Sequence, residues 1–182
     1  VGAIATMFDG IEYRSRLEAR WAAFMRNIGW EHTYEPLDGD GYIPDFVVHG
    51  AAPFFVEVKP AVVLAEFRQE QSKVERGLQQ FDRDVVIVGV TPFLTSAHGF
   101  QPFYSYGVSV GWMLSEGDWQ PADWITCLHC LRTAIFHTSM SYHSRPCGDY
   151  DGDHYLGAHE PDFLQGAWSD ACNEVKWRGR AA

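Results

Sequence analysis

The 182-residue chain is 46% hydrophobic and 15% aromatic, enough for one good core, and carries a formal net charge of −10. That balance excludes a protein coated in positive charge for indiscriminate nucleic-acid binding, while a local basic groove remains compatible with it. No run of about 18 apolar residues occurs, and the opening VGAIATMFDG lacks a basic start and a long apolar stretch, so neither a membrane span nor a secretory signal is expected and the expected location is cytoplasmic.

Residues 11–28, IEYRSRLEARWAAFMRNI, place Leu17, Trp21, Phe24 and Ile28 at helical spacing, with Gly29 as a stop. WEHTYEPL then predicts a strand, DGDG a turn, YIPDFVV a second strand, HGAAP another turn and FFVEVKP a third strand, together a meander. Residues 63–81 form a second helix on the stripe Phe67, Val74, Leu78 and Phe81. DVVIVGV is a continuous β-branched run suited to a strand buried on both faces. The order helix, three strands, helix, strand predicts an α/β protein with a mixed central sheet flanked by helices. Beyond Pro92, YGVSVGWML predicts a further strand, and residues 160–177 a closing helix with Pro161 in its first turn. The expected organisation is a core over 1–120, followed over 121–182 by a small zinc-binding module and the C-terminal helix.

Three charged residues interrupt the apolar runs: Asp45 in the second predicted strand, Glu57 and Lys59 in the third. Alternation along a strand puts Phe55, Glu57 and Lys59 on one face and Phe54, Val56 and Val58 on the other. A meander sets the Asp45 strand beside this one and brings Asp45 toward Glu57. Two converging carboxylates repel unless they share a proton or hold a cation, and hard oxygen ligands suit magnesium or manganese. A further acid, Glu18, lies with Trp21, Ala22 and Met25 on the semi-apolar side of the first helix, where a bond to Arg14 four residues earlier is the simplest alternative role.

A helix bearing a Glu, then PD, then ExK, then helix and strand resembles the PD-(D/E)xK nuclease superfamily over about residues 12–90. The resemblance implies a restriction-endonuclease-like core in which Asp45, Glu57, the Val58 carbonyl and Glu18 bind magnesium or manganese. It implies that Lys59 orients or activates the attacking water, so that Glu18, Asp45, Glu57 and Lys59 make the catalytic set. The implied activity is a metal-dependent DNA endonuclease, with RNA an open alternative substrate. The second helix often supplies a polar residue in this family, here Gln71 or Lys73; the QxxxY form of some exonuclease branches is absent. Cutting both strands would favour a homodimer. The alternative function is a catalytically silent nucleic-acid-binding or protein-interaction domain of the same fold. Arg14, Arg16, Arg20 and Arg26, with Arg68, Lys73, Arg76 and Arg83, are candidate phosphate contacts.

Four cysteines stand at 127, 130, 147 and 172, and in a reducing compartment Cys127-x-x-Cys130 suits a metal better than a bridge. Cys127-x2-Cys130-x12-His143-x3-Cys147 matches the general finger spacing with Cys as the last ligand, and His137 or His129 are substitutes for His143. Pro146 and Gly148 argue against a DNA-reading helix, so a zinc ribbon or knuckle is expected. Four protein ligands would make that zinc structural.

Overall fold

The computed structural model describes residues 3–38, 41–50, 52–78, 81, 83–94, 109–127, 130–137, 143–144, 156–158 and 161–176. Strands β1 (Thr6–Phe8) and β2 (Ile11–Tyr13) form a hairpin. Asp9 and Gly10 turn it with φ of 48° and 79°, the paired left-handed conformation of a two-residue type I′ loop. The first helix therefore begins later than residue 11: α1 spans Arg16–Asn27. Ser15 sets its start by accepting the Glu18 N–H at 3.1 Å, which satisfies a backbone donor that the helix itself leaves unpaired.

Strands β3 (His32–Tyr34), β4 (Phe46–Val48) and β5 (Phe54–Val58) form the expected antiparallel meander. The second of these is shorter than its sequence suggests, starting at Phe46 after Pro44 and Asp45. A 3₁₀ turn at Leu64–Phe67 leads into α2 (Arg68–Leu78), which crosses back so that β6 (Val85–Val88) runs parallel to β5. Then β7 (Ser109–Ser115), β8 (Asp118–Cys127), β9 (Thr133–His137) and β10 (His143–Ser144) add in antiparallel order. The short β11 (Leu156–Ala158) pairs the C-terminal half of β8, and α3 spans Pro161–Glu174. Among the described residues this makes one mixed, nine-stranded sheet in the order β10-β9-β8-β7-β6-β5-β4-β3, with β11 on β8.

All five residues of β5 are buried, because they alternate between two apolar layers. Phe54, Val56 and Val58 join Trp21, Phe24, Trp124, Ile135 and Leu164 on the face covered by α1 and α3. Phe55 joins Phe67, Val74, Leu78 and Ile87 under α2. The expected boundary between 120 and 121 falls inside β8, and residues on both sides of it share the α1–α3 core. Strand pairing runs through that point, so the described part of 121–182 extends the sheet and closes it with α3 instead of forming a module of its own.

Buried indoles fix the layers, each N–H finding a main-chain carbonyl. Trp21 Nε1 donates to Gly89 O at 2.8 Å, Trp30 Nε1 to Thr133 O at 2.9 Å and Trp124 Nε1 to Pro92 O at 2.7 Å. The first bond seats α1 against the chain leaving β6. Gly89 is required there, since a Cβ would lie 2.4 Å from the Ala61 carbonyl oxygen. Among the described residues no helix is long and apolar enough to cross a membrane.

Candidate active site

The antiparallel register Phe46↔Val56 sets Asp45 opposite Glu57 one step further along, at the C-terminal end of β5. The strand ladder gives way to side chains at this step. The Asp45 N–H points to Glu57 Oε2 at 3.4 Å, and the Val58 N–H donates to Asp45 Oδ2 at 2.7 Å. A residue's N–H and C=O point to the same side of an extended strand, so the Val58 carbonyl also opens toward Asp45. Lys59 Nζ completes the pattern by donating to Glu57 Oε1 at 2.5 Å. Asp45 and Glu57 are only 4% and 3% exposed, which is rare for acids without a specific role or partner.

Alternation has put Glu57 and Lys59 on the α2 side of the sheet, with Asp45. Glu18 reaches the same end from α1, on the other side. Its Oε1 accepts the Ser15 hydroxyl at 2.7 Å and its Oε2 the Tyr34 hydroxyl at 2.6 Å, so both oxygens have partners within the helix cap and β3. Arg14 links the acids: Nη2 lies 2.6 Å from Asp45 Oδ1, Nε 2.8 Å from Glu35 Oε1 and 4.0 Å from Glu18 Oε2. The bond between Arg14 and Glu18 is thus present, but it is the longest of the three, and Arg14 precedes the helix instead of lying within it.

Arg14, Glu18, Asp45, Glu57, Val58 and Lys59 line a cavity of about 360 Å³ together with Tyr42 and Lys73. The Tyr42 ring fits beneath α2 because position 77 is glycine; a Cβ there would meet the ring at 2.4 Å. Its hydroxyl is buried beside Glu57 without a well-formed hydrogen bond, and burial followed by the Glu57 charge holds its pKa well above the usual phenol range. Gln71 does not line the cavity, whereas Lys73 does. Of the other basic residues, Arg26 pairs with Glu174 on α3 and Arg83 stacks 5.6 Å over the Phe55 ring, both outside the cavity. A larger cavity of about 670 Å³ lies at the opposite end of the sheet, by Val85, Leu114 and Ser115, and holds no comparable buried, hydrogen-bonded pair of acids.

Burial, and then the neighbouring Glu57 charge, push the Asp45 carboxyl up to about 7; the Val58 N–H opposes them. Arg14 at Oδ1 pulls the same way as that N–H, and burial with like charge outweighs both. Burial works to lower Lys59, but the Glu57 charge and hydrogen bond outweigh it and hold the ammonium above its ordinary pKa. Lys59 is therefore a cation at neutral pH, suited to stabilising negative charge and not to removing a proton.

Among the described residues no three His, Cys, Asp or Glu side chains are gathered as a metal cage would need. Magnesium is commonly held by one or two carboxylates and keeps several waters. The chemistry of Asp45, Glu57 and the Val58 carbonyl fits that smaller requirement, with Glu18 tied to Ser15 and Tyr34.

Of the expected zinc ligands, Cys147 lies outside the described residues, as does the substitute His129. Cys127 ends β8, Cys130 is a half-buried free thiol in the turn that follows, and His143 opens β10 opposite Phe136. That register sets the His143 backbone three residues along β9 from Thr133, or about 10 Å at the usual rise. His137 is buried in β9 with Nε2 3.3 Å from the Asp118 carbonyl oxygen.

Sequence reasoning treated Arg14 as a helical partner of Glu18 or a phosphate contact and missed its bonds to Asp45 and Glu35. It also missed Ser15, Tyr34 and Tyr42. The signal for Ser15 is the Ser-x-x-Glu spacing of a capping box; nothing local marks the two tyrosines. No family model, no curated protein and no solved structure matches this chain.

Proposed function

We propose that the chain is a magnesium- or manganese-dependent nuclease that hydrolyses phosphodiester bonds in DNA, built on a restriction-endonuclease-like core. One observation carries the reading: two buried acids, Asp45 and Glu57, stand side by side at an open end of the sheet with a cationic lysine bonded to one of them. Burying two acids this close is unfavourable unless their charge is used. A divalent cation, when bound, supplies a Lewis acid and an activated water. Asp45, Glu57 and the Val58 carbonyl would hold it. Lys59 would stabilise charge on the attacked phosphate, while Arg14 and Lys73 at the same cavity offer contacts to neighbouring phosphates.

The test is cleavage of plasmid, linear, branched and single-stranded DNA and of RNA, with magnesium or manganese and with chelator, comparing wild type with Asp45→Asn. Cation-dependent cleavage lost in the variant supports a nuclease, and the panel identifies its substrate. Nucleic-acid binding with no cleavage of any substrate would favour the silent binding domain. Sedimentation with duplex DNA tests the homodimer that cutting both strands would call for.

Lys59→Ala is expected to leave cation binding measurable by calorimetry while slowing single-turnover cleavage by about 10²-fold, the usual size of one lost transition-state contact. An unchanged rate would remove Lys59 from the chemistry.

The cysteine spacing further supports a structural zinc on Cys127, Cys130, His143 and Cys147. Elemental analysis of protein purified without added metal is expected to return about one zinc per chain, with stability falling on chelation. A chain that carries none, and is unaffected by chelator, has ordinary thiols there.

A further inference from the structure

We propose that Arg14 is a displaceable counter-ion: it neutralises Asp45 in the cation-free protein, and yields Oδ1 to turn toward substrate phosphate when the cation binds. The inference rests on the nuclease reading and concerns how cation and substrate binding are coupled. Asp45 Oδ2 accepts the main-chain N–H of Val58, which is fixed in place, whereas Oδ1 meets the Arg14 side chain, whose Nη2 sits 2.6 Å from it and can move, so Oδ1 is the oxygen that can be freed for an incoming cation. Two cations at bonding distance from one oxygen repel each other, so the guanidinium and a divalent ion compete for it.

The anchoring of Arg14 allows such a movement. Its backbone is pinned, with the N–H donating to the Tyr34 hydroxyl at 2.9 Å and the next residue capping α1. Its side chain is 53% exposed, against 5% for that of Asp45, so it comes from the rim and can turn outward without unpacking the core. Glu35, a third exposed, is a rim partner to which Nε is already bonded at 2.8 Å. A guanidinium fork pairs with phosphate oxygens as readily as with carboxylates. By contrast, Lys59 is 21% exposed and bonded to Glu57, and has less freedom to leave. Arg14 thereby exchanges one anion for another.

Manganese binding is measured by calorimetry without nucleic acid, for wild type, Arg14→Gln, Arg14→Lys and Asp45→Asn. Binding of a fluorescent DNA duplex is then measured with and without calcium, a probe cation. Arg14→Gln is expected to bind manganese about 10-fold more tightly than wild type, since the competitor is gone, and Arg14→Lys about 3-fold more tightly. Calcium is expected to strengthen duplex binding about 10-fold less in Arg14→Gln than in wild type, because no guanidinium is released to the phosphate. A merely structural arginine would not move these two quantities in opposite senses. Unchanged or weaker manganese affinity in Arg14→Gln overturns the proposal, and should that variant not fold, unchanged affinity in Arg14→Lys does so. If wild type binds manganese through Asp45 and cleaves while the Arg14 variants behave as wild type, this proposal alone fails. If wild type binds no manganese, or Asp45→Asn binds it equally well, the nuclease reading fails and this one with it.

Discussion

Asp45→Asn is expected to reduce cation-dependent cleavage by about 10³-fold or more while the protein stays folded, as for loss of a group acting directly on the reacting centre. The choice of substitution follows from the hydrogen bonds. Asp45 Oδ2 accepts the buried Val58 N–H, and an asparagine carbonyl can take over that role, while the half-exposed Arg14 side chain turns away from the amide NH2 that then replaces Oδ1. Alanine cannot, and would leave a buried donor unsatisfied at about 1–3 kcal/mol, besides leaving Arg14 without its shortest carboxylate contact. Loss of activity in the alanine variant would therefore mix chemistry with instability. Single-turnover cleavage together with thermal melting separates them. An Asp45→Asn protein that melts like wild type and cleaves at a similar rate removes Asp45 from the active site.

In chelator, the wild-type protein is expected to lose stability as pH rises from about 4 to about 7, and Asp45→Asn to lose much less. Asp45 has an ordinary carboxyl pKa of 3.8 when unfolded and is pushed up to about 7 in the fold, mainly by burial and then by Glu57. Between those values the folded chain binds more protons than the unfolded one, so the unfolding free energy falls with rising pH. The stabilisation is complete below the unfolded pKa and lost as pH passes through the folded one. Three pH units correspond to about 4 kcal/mol as an upper bound, reduced because Asp45 and Glu57 titrate as a coupled pair. Urea denaturation at pH 4.5 and 7.5 measures it, and the difference between wild type and Asp45→Asn isolates this acid from the other carboxyls. Parallel behaviour of the two proteins would mean that Asp45 is already ionised in the fold.

Much of the fold is legible in local pattern. The stripe Leu17, Trp21, Phe24 and Ile28 marks α1, and the β-branched run DVVIVGV marks β6, because both elements bury a face of fixed period. Periodicity does not mark two hairpins, although their turns are written in the chain. Asp9-Gly10 joins β1 to β2, and Glu116-Gly117, with φ of 49° and 82°, joins β7 to β8. In the first case the helix-forming residues that follow masked a strand of three residues. In the second, the aromatic and glycine-rich composition hid a strand that continues the central sheet.

The sequence by itself determined that Glu57 and Lys59 share a face, and it indicated that a meander can bring Asp45 toward Glu57. A strand's two-residue alternation fixes the faces, whereas a register shifted by two residues would keep them, so the pairing that sets Asp45 opposite Glu57 was decided by the fold. Only the tertiary structure decided that Arg14 bridges Asp45 and Glu35, that Tyr34 and Ser15 hold Glu18, and that Tyr42 is buried beside Glu57 under Gly77. It alone also decided that the strands beyond residue 120 continue the same sheet. The bond from Arg14 to Asp45 joins positions 31 residues apart and depends on strand register, on where the helix cap begins and on side-chain rotamers together. Local periodicity encodes which face a residue occupies, whereas its hydrogen-bond partners are settled only when separate elements pack.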